Sequence, residues 1–277
     1  MNKKRGRQNR QNRKGGTGKG IAIVLLLIIS MAWVFVNVNG RAGAGSVDNT
    51  HFLELVNLDH PISAEPGSSQ IVSAWPAVPV ISRDITMNKT ALDAVGRMFS
   101  AAKAANIGSY YISSGYRSYS QQKQTYNNET DKSYVQPPGC SEHETGLAVD
   151  IMAAGIKQNA LAASGQGQWL AGNAWKFGFI LRYPQGKQNI TGISYEPWHF
   201  RYIGRPHAYY CHKHNLCMEQ YIQFLKDSGG YEITLDGRKY SIFYEKSQNA
   251  IMKATAGLYY EVSDDNTGGF IVTAWGK

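Results

Sequence analysis

The hydrophobic and polar positions divide the chain into five stretches. After a polar, basic start, residues 21–38 read Ile21-Ala22-Ile23-Val24-Leu25-Leu26-Leu27-Ile28-Ile29-Ser30-Met31-Ala32-Trp33-Val34-Phe35-Val36-Asn37-Val38, eighteen positions without a formal charge. Residues 39–84 are polar and scattered with Gly, Ser and Pro, broken only by short apolar patches such as Phe52-Leu53-Glu54-Leu55-Val56 and Ile71-Val72. This pattern predicts a stalk merging into an arm packed on a domain. A helix is then expected, capped by Asn88 or Thr86, with Leu92, Val95, Phe99 and Ala102 on one face. It should end near Asn106-Ile107-Gly108.

Tyr110-Tyr111-Ile112-Ser113 follows as a short strand, and Ser118 with Gln121 forms a capping-box pattern opening a helix over 119–129. Pro137-Pro138-Gly139 enforces a loop. Leu147, Val149 and Ile151 alternate with Ala148, Asp150 and Met152, the period of a strand with Asp150 opposite the large hydrophobes. A helix over 168–177 ended by Gly178, strands over 179–183 and 198–203, and helix in pieces from Pro206 to about 227 complete this region. From Tyr231 the chain changes to short β-like runs split by Asp236-Gly237, Gly257 and Gly268-Gly269. The division is therefore a basic tail (1–20), an apolar span (21–38), a stalk and arm (39–84), a main domain (85–229) and a small β-rich appendage (230–277). The 277 residues suffice for one good core and a small addition.

Charge changes the picture only once it is located. The net charge is +9, but eight of the 29 Lys and Arg lie in the first 19 residues, with no acid among them. The rest is nearly neutral, so nucleic-acid binding, which needs basic surface on the fold itself, is not expected. Eighteen residues at about 1.5 Å each nearly cross a hydrocarbon core of about 30 Å. The basic flank predicts a cytoplasmic N-terminus and a domain on the outer face of a cell membrane. A cleaved signal peptide is the alternative, with Ala42-Gly43-Ala44 as its A-x-A site, although such apolar regions usually run about 7–15 residues. Three cysteines are too few for a disulfide scaffold; Cys211 and Cys217 are close enough to pair in an oxidising compartment, leaving Cys140 alone.

The chemistry concentrates in two segments, Ser141-Glu142-His143-Glu144-Thr145-Gly146-Leu147-Ala148-Val149-Asp150 and Glu196-Pro197-Trp198-His199. Two imidazoles and a carboxylate can hold a metal with one position open, the pattern of a catalytic zinc site. Glu196, three residues before His199, is placed to move a proton. Glu142 and Glu144 flank His143 and, in a strand-like segment, would face solvent. Arg117 sits on a Gly115-Tyr116-Arg117 turn between strand and helix, where a guanidinium could grip a carboxylate or an oxyanion. His51, His60, His207, His212 and His214 read as ordinary surface or hydrogen-bonded core residues, with a place behind a metal ligand as a second possibility for His207.

Ser113-Ser114-Gly115-Tyr116-Arg117-Ser118, Ser141-x-His143-x-x-Gly146-x-Ala148-x-Asp150 and Glu196-x-Trp198-His199-Phe200-Arg201-Tyr202 together resemble the VanY-type zinc D-alanyl-D-alanine carboxypeptidases, over roughly residues 85–227. The resemblance implies an α+β fold with a small antiparallel sheet flanked by helices. It implies one Zn2+ on His143, Asp150 and His199, Glu196 as general acid/base, Arg117 as oxyanion stabiliser, and Gln122, Ser141 and Tyr183 in contact with the substrate. The expected substrate is the pentapeptide stem of peptidoglycan, whose trimming removes the target of glycopeptide antibiotics. An L,D-carboxypeptidase acting on tetrapeptide stems would use the same site. A non-catalytic zinc module has no use for Glu196, and a cysteine peptidase would need a base beside Cys140.

Overall fold

Leu92, Val95 and Met98 recur at helical spacing, and the segment carrying them forms α1 (Lys89–Ala104). The Asn88 side chain accepts from the amides of Thr90 and Ala91, satisfying donors that the first turn leaves open. The helix gives way to Asn106 in the left-handed region, as its Asn-Ile-Gly ending predicts. This computed structural model describes residues 49–276; the predicted basic tail and apolar span lie outside them. Among the described residues no helix is long and apolar enough to cross a membrane.

The arm begins with Leu53, Leu55 and Val56 buried. It continues into β1 (Ile71–Ser73), which pairs antiparallel with β2 (Thr86–Asn88) just before α1. The chain then runs through β3 (Tyr110–Ser114), α2 (Tyr119–Asn128), β4 (Ala148–Ala153), α3 (Gly165–Asn173), β5 (Phe179–Leu181), the single-turn α4 (Gln188–Thr191) and β6 (His199–Tyr202). These strands form an antiparallel sheet of order β3-β4-β6-β5. Alternation along β4 puts Val149 and Ile151 into the core, where they meet Ile112, Phe179, Phe200 and the apolar face of α1. Burying each such large side chain contributes about 1.5–3 kcal/mol, which fixes the register and leaves Asp150 on the opposite face.

Beyond β6 come α5 (Arg205–His214), α6 (Met218–Ser228), β7 (Gly230–Leu235), β8 (Arg238–Glu245), α7 (Gln248–Ala254), β9 (Tyr259–Asp264) and β10 (Phe270–Trp275). The last four strands make a second antiparallel sheet, β7-β8-β10-β9. Ile242 and Ile271 from this sheet share one core with Ala208 of α5, Leu225 of α6, and Leu53 and Leu55 of the arm. The C-terminal strands are thus integrated with the two helices through common packing. All three cysteines are free and buried, so Cys211 and Cys217 are not paired in this structure.

His207 is a buried, hydrogen-bonded core histidine, as the ordinary reading of it expects. Its Nδ1 lies 2.6 Å from the Tyr221 hydroxyl and its Nε2 2.8 Å from Thr273 Oγ1, so it ties α5 to α6 and β10 rather than supporting a metal ligand. Burial pushes its pKa down to about 3. The neutral ring is native, whereas the unfolded chain protonates it below its usual value of about 6.5. Stability from this group is full above that pH and is lost as pH falls toward 3. The parent should therefore lose up to about 1.4 kcal/mol per pH unit from His207 between pH 6 and pH 4. Urea unfolding over that range should show a shallower slope in His207→Asn; an unchanged slope would refute the assignment.

Candidate active site

The turn after β3 is held by close backbone packing. A Cβ on Gly115 would collide with the Thr86 carbonyl oxygen, and Tyr116 N donates to that same oxygen at 2.7 Å. The Gly115 carbonyl is thereby aimed at the Nδ1 of His143, 2.6 Å away, while Arg117 N donates to the His143 carbonyl at 3.1 Å. Donation from Nδ1–H fixes the tautomer and leaves Nε2 free as a ligand. The Ser118–Gln121 capping box starts α2 as its spacing predicts. Gln122, one residue further on, accepts from Arg117 Nη1 at 2.9 Å and donates to the Gln136 carbonyl at 2.6 Å. Its amide therefore braces the guanidinium from below.

His143 stands on a 3-10 helix, Glu142–Thr145, ended by Gly146 with φ 72°. A Cβ at Gly146 would run into the Ile71 side chain, so both conformation and space demand glycine. The helical turn overturns the strand-like expectation for this segment, and with it the outward placement of Glu142 and Glu144. Both acids are buried. The Glu144 carboxylate accepts from the amides of Gly139 (2.7 Å) and Ser141 (3.4 Å), tying down the proline loop. Glu142 accepts from Arg182 Nε at 2.6 Å, lies 3.0 Å from Arg201 Nη1, and sits 3.7 Å from His199 Nε2.

Asp150 on β4 and His199 on β6 are direct cross-strand partners. Their side chains meet at 3.1 Å (Oδ1 to Nδ1), and Asp150 Oδ2 is 3.5 Å from His143 Nε2. One ligand atom from each of His143, Asp150 and His199 lies within 4.8 Å of the others. The Asp150 Oδ1 atom is buried and has no hydrogen-bond partner among the described residues. Two nitrogens and a carboxylate oxygen converging around an unsatisfied buried acceptor fit a divalent cation of the zinc type.

All eight predicted site residues, Arg117, Gln122, Ser141, His143, Asp150, Tyr183, Glu196 and His199, line one cleft of about 750 Å³. Glu196 Oε2 is 3.6 Å from His199 Nδ1, held by its own backbone pairing to the Tyr183 carbonyl. Burial, with Asp150 adding to it, pushes the Glu196 pKa up to about 8 against the pull of His199 and Arg117. Burial lowers His143 to about 4, with Arg117 reinforcing it, so this ring is neutral. Burial also opposes ionisation of Asp150, but the two histidines outweigh it and hold the carboxyl well below its ordinary range. Burial pulls the Arg117 guanidinium below its usual value, against nearby Asp150 and Glu196. The Tyr183 ring lies 4.8 Å from that of His199, and burial raises its phenol well above the ordinary value. Cys140 is buried, and burial with Glu144 raises its thiol, which disarms it as a nucleophile.

Sequence reasoning missed what lies behind the ligands. Arg182 continues from Glu142 to Glu219, donating from Nη1 at 2.9 Å and from Nη2 at 2.6 Å. Arg201 donates to the carbonyls of Phe52 and Glu54. The available signal was an arginine inside each of the two apolar strands expected over 179–183 and 198–203, since a fully buried guanidinium demands a buried acid.

Comparison with known proteins agrees with this geometry. The sequence model of VanY, D-alanyl-D-alanine carboxypeptidase, matches residues 84–205. A D-alanyl-D-alanine carboxypeptidase of Enterococcus faecium is 35% identical over 230 residues, covering 80% of this chain and 75% of that protein. The chain belongs to the VanY D-alanyl-D-alanine carboxypeptidase family and is an enzyme of that metallopeptidase class. Among solved structures, the vancomycin-resistance D,D-dipeptidase VanXYg with a D-Ala-D-Ala phosphinate analogue superposes with a TM-score of 0.68 at 28% identity, covering 80% of this chain and 93% of that one. The LD-carboxypeptidase LdcB gives 0.57 at 35% identity, over 66% and 94% of the two chains. A VanY D,D-pentapeptidase variant in complex with Zn(II) gives 0.51 at 32% identity, over 62% and 98%.

Proposed function

We propose that this enzyme removes the terminal D-alanine from pentapeptide stems of peptidoglycan, with one zinc ion held by His143, Asp150 and His199. The observation carrying this reading is a complete hydrolytic set at the floor of an open cleft far larger than a free dipeptide. The cleft is also lined by Trp198 and Tyr134, whose rings lie 6.3 Å apart, and by Thr125, Glu129 and Asn159, surface enough for the body of a stem peptide. The apolar, basic-flanked segment 21–38 supports an anchored enzyme working on the outer face of the membrane, where its substrate lies. Such trimming would lower sensitivity to glycopeptide antibiotics.

When bound, zinc supplies Lewis acidity toward a carbonyl oxygen and lowers the pKa of water. The protein's own groups do the rest. Glu196, at the cleft wall, takes a proton from the attacking water and returns it to the departing amine of D-alanine. Arg117, fixed by Gln122, offers its guanidinium to the negative charge that develops on the tetrahedral carbon's oxygen. Ser141 and Tyr183 line the same cleft, where they would contact the terminal residues of the stem.

The test follows D-alanine release by mass spectrometry from matched penta- and tetrapeptide stems. Release from the pentapeptide alone is expected, abolished by a chelator and restored by Zn2+. Release from the tetrapeptide alone would move the enzyme to the L,D class, for which the likeness to LdcB is the supporting observation. Chelator-insensitive release would refute the metal assignment.

A further inference from the structure

A second cleft, sharing no lining residue with the first, lies against the C-terminal sheet. Three adjacent strands put an aromatic row along its edge: Tyr240 of β8 and Tyr259 of β9 are both cross-strand partners of Trp275 on β10. The Trp275 ring stacks on Tyr259 at 6.3 Å and 27°, and lies 6.0 Å from Tyr240. One row further in on the same face, Thr273 pairs with Ile242 on one side and Glu261 on the other. Phe52 and Tyr202, an edge-to-face pair at 5.2 Å, and Arg205 line the cleft from the arm and the β6–α5 connection. The volume is about 190 Å³, the size of one pyranose ring.

Its polar groups carry unused hydrogen-bonding capacity. Arg205 Nη1 is held by Asp236, but its Nε is buried without a partner among the described residues. Glu261 makes no side-chain hydrogen bond or ion pair among those residues. Although Glu261 stays solvent-accessible, its neighbours desolvate it enough to raise its carboxyl above the ordinary value.

This composition, with an aromatic row beside one acid and one base, favours a neutral ligand rich in hydroxyls. A simple anion would meet Glu261, and a simple cation would meet Arg205. A purely apolar ligand would strand both charges without water. A sugar satisfies all of them, because its C–H face lies on aromatic rings while its hydroxyls both donate to a carboxylate and accept from a guanidinium. We propose that this cleft is a carbohydrate-binding site for one pyranose unit of a polysaccharide, with Trp275 and Tyr240 as the stacking platform and Glu261, Arg205 and the Tyr202 hydroxyl bonding its hydroxyls. It does not rest on the peptidase reading, since binding is measured without turnover.

The test is calorimetric titration of the full chain with N-acetylglucosamine tetrasaccharide, with tryptophan fluorescence alongside. Saturable binding is expected, weakened at least about tenfold in Trp275→Ala and in Glu261→Gln, each removing about 1.4 kcal/mol or more. D-Alanine release from a soluble pentapeptide should stay at the parent's level in both variants. Glu261→Gln, isosteric and solvent-accessible, decides the matter should Trp275→Ala fail to fold. No binding by the parent at millimolar sugar, unchanged affinity in Glu261→Gln, or displacement of the sugar by soluble pentapeptide would each overturn the proposal.

Discussion

Replacing Glu196 by glutamine lowers kcat by about 10²–10⁴, the usual range for losing a positioned proton-transfer group. Bound zinc, measured by plasma mass spectrometry after gel filtration, stays at the parent's level. The two outcomes separate because, among the described residues, the converging candidate ligand atoms belong to His143, Asp150 and His199 and not to Glu196. Its carboxylate stands 3.6 Å from His199 Nδ1, beside the metal position. Glutamine keeps the shape and one acceptor oxygen but cannot take a proton. KM should change little, since in the proposed mechanism the side chain acts on the water and the leaving amine rather than on the ground-state peptide. Loss of zinc together with activity would instead make Glu196 a fourth ligand, and near-parental kcat would remove it from the mechanism.

What could be read before folding follows from how local each cause is. The cap at Asn88, the Ser118–Gln121 box and the alternation around Asp150 are set by residues within a few positions of one another, and each appears as expected. The three candidate ligands could be picked out because each motif keeps its chemistry in one short segment, and the structure brings their ligand atoms within 4.8 Å of one another. Glu142 was misplaced because strand alternation was extended backwards through a segment that turns as a 3-10 helix, and the left-handed Gly146 separates the two geometries. The Arg182–Glu219 and Arg201–Phe52 contacts span 37 and 149 positions, and no local pattern encodes them. His207 is an ordinary core histidine as expected, but its partner could not be named for the same reason: Thr273 lies 66 residues away.

The group behind the ligands should matter nearly as much as the ligands. Glu142 is fully buried between two fully buried arginines. Burial opposes its ionisation, but Arg182 and Arg201 outweigh that and hold the carboxyl well below its ordinary range. Glu142→Ala leaves both guanidiniums without this counter-charge, although Arg182 retains Glu219 and Arg201 retains backbone carbonyls. Breaking a buried pair by removing one partner costs about 3–5 kcal/mol, so urea unfolding of the zinc-free protein should show a loss of that order. A second effect is separable from the first. Glu142 Oε2 is the carboxylate oxygen facing His199 Nε2, the nitrogen directed away from the metal position. Outer carboxylates of this kind fix the tautomer and basicity of the ligand, and removing one typically costs about 10–100-fold in metal affinity. Glu142→Gln, which keeps the volume and loses the charge, should therefore bind zinc more weakly in a chelator competition even where it unfolds near the parent's midpoint. Parental zinc affinity in that variant would reduce Glu142 to a structural counter-ion for the arginines. Weakened affinity would make the arm held by Arg201, the helix held by Arg182 and the metal site parts of one charge network.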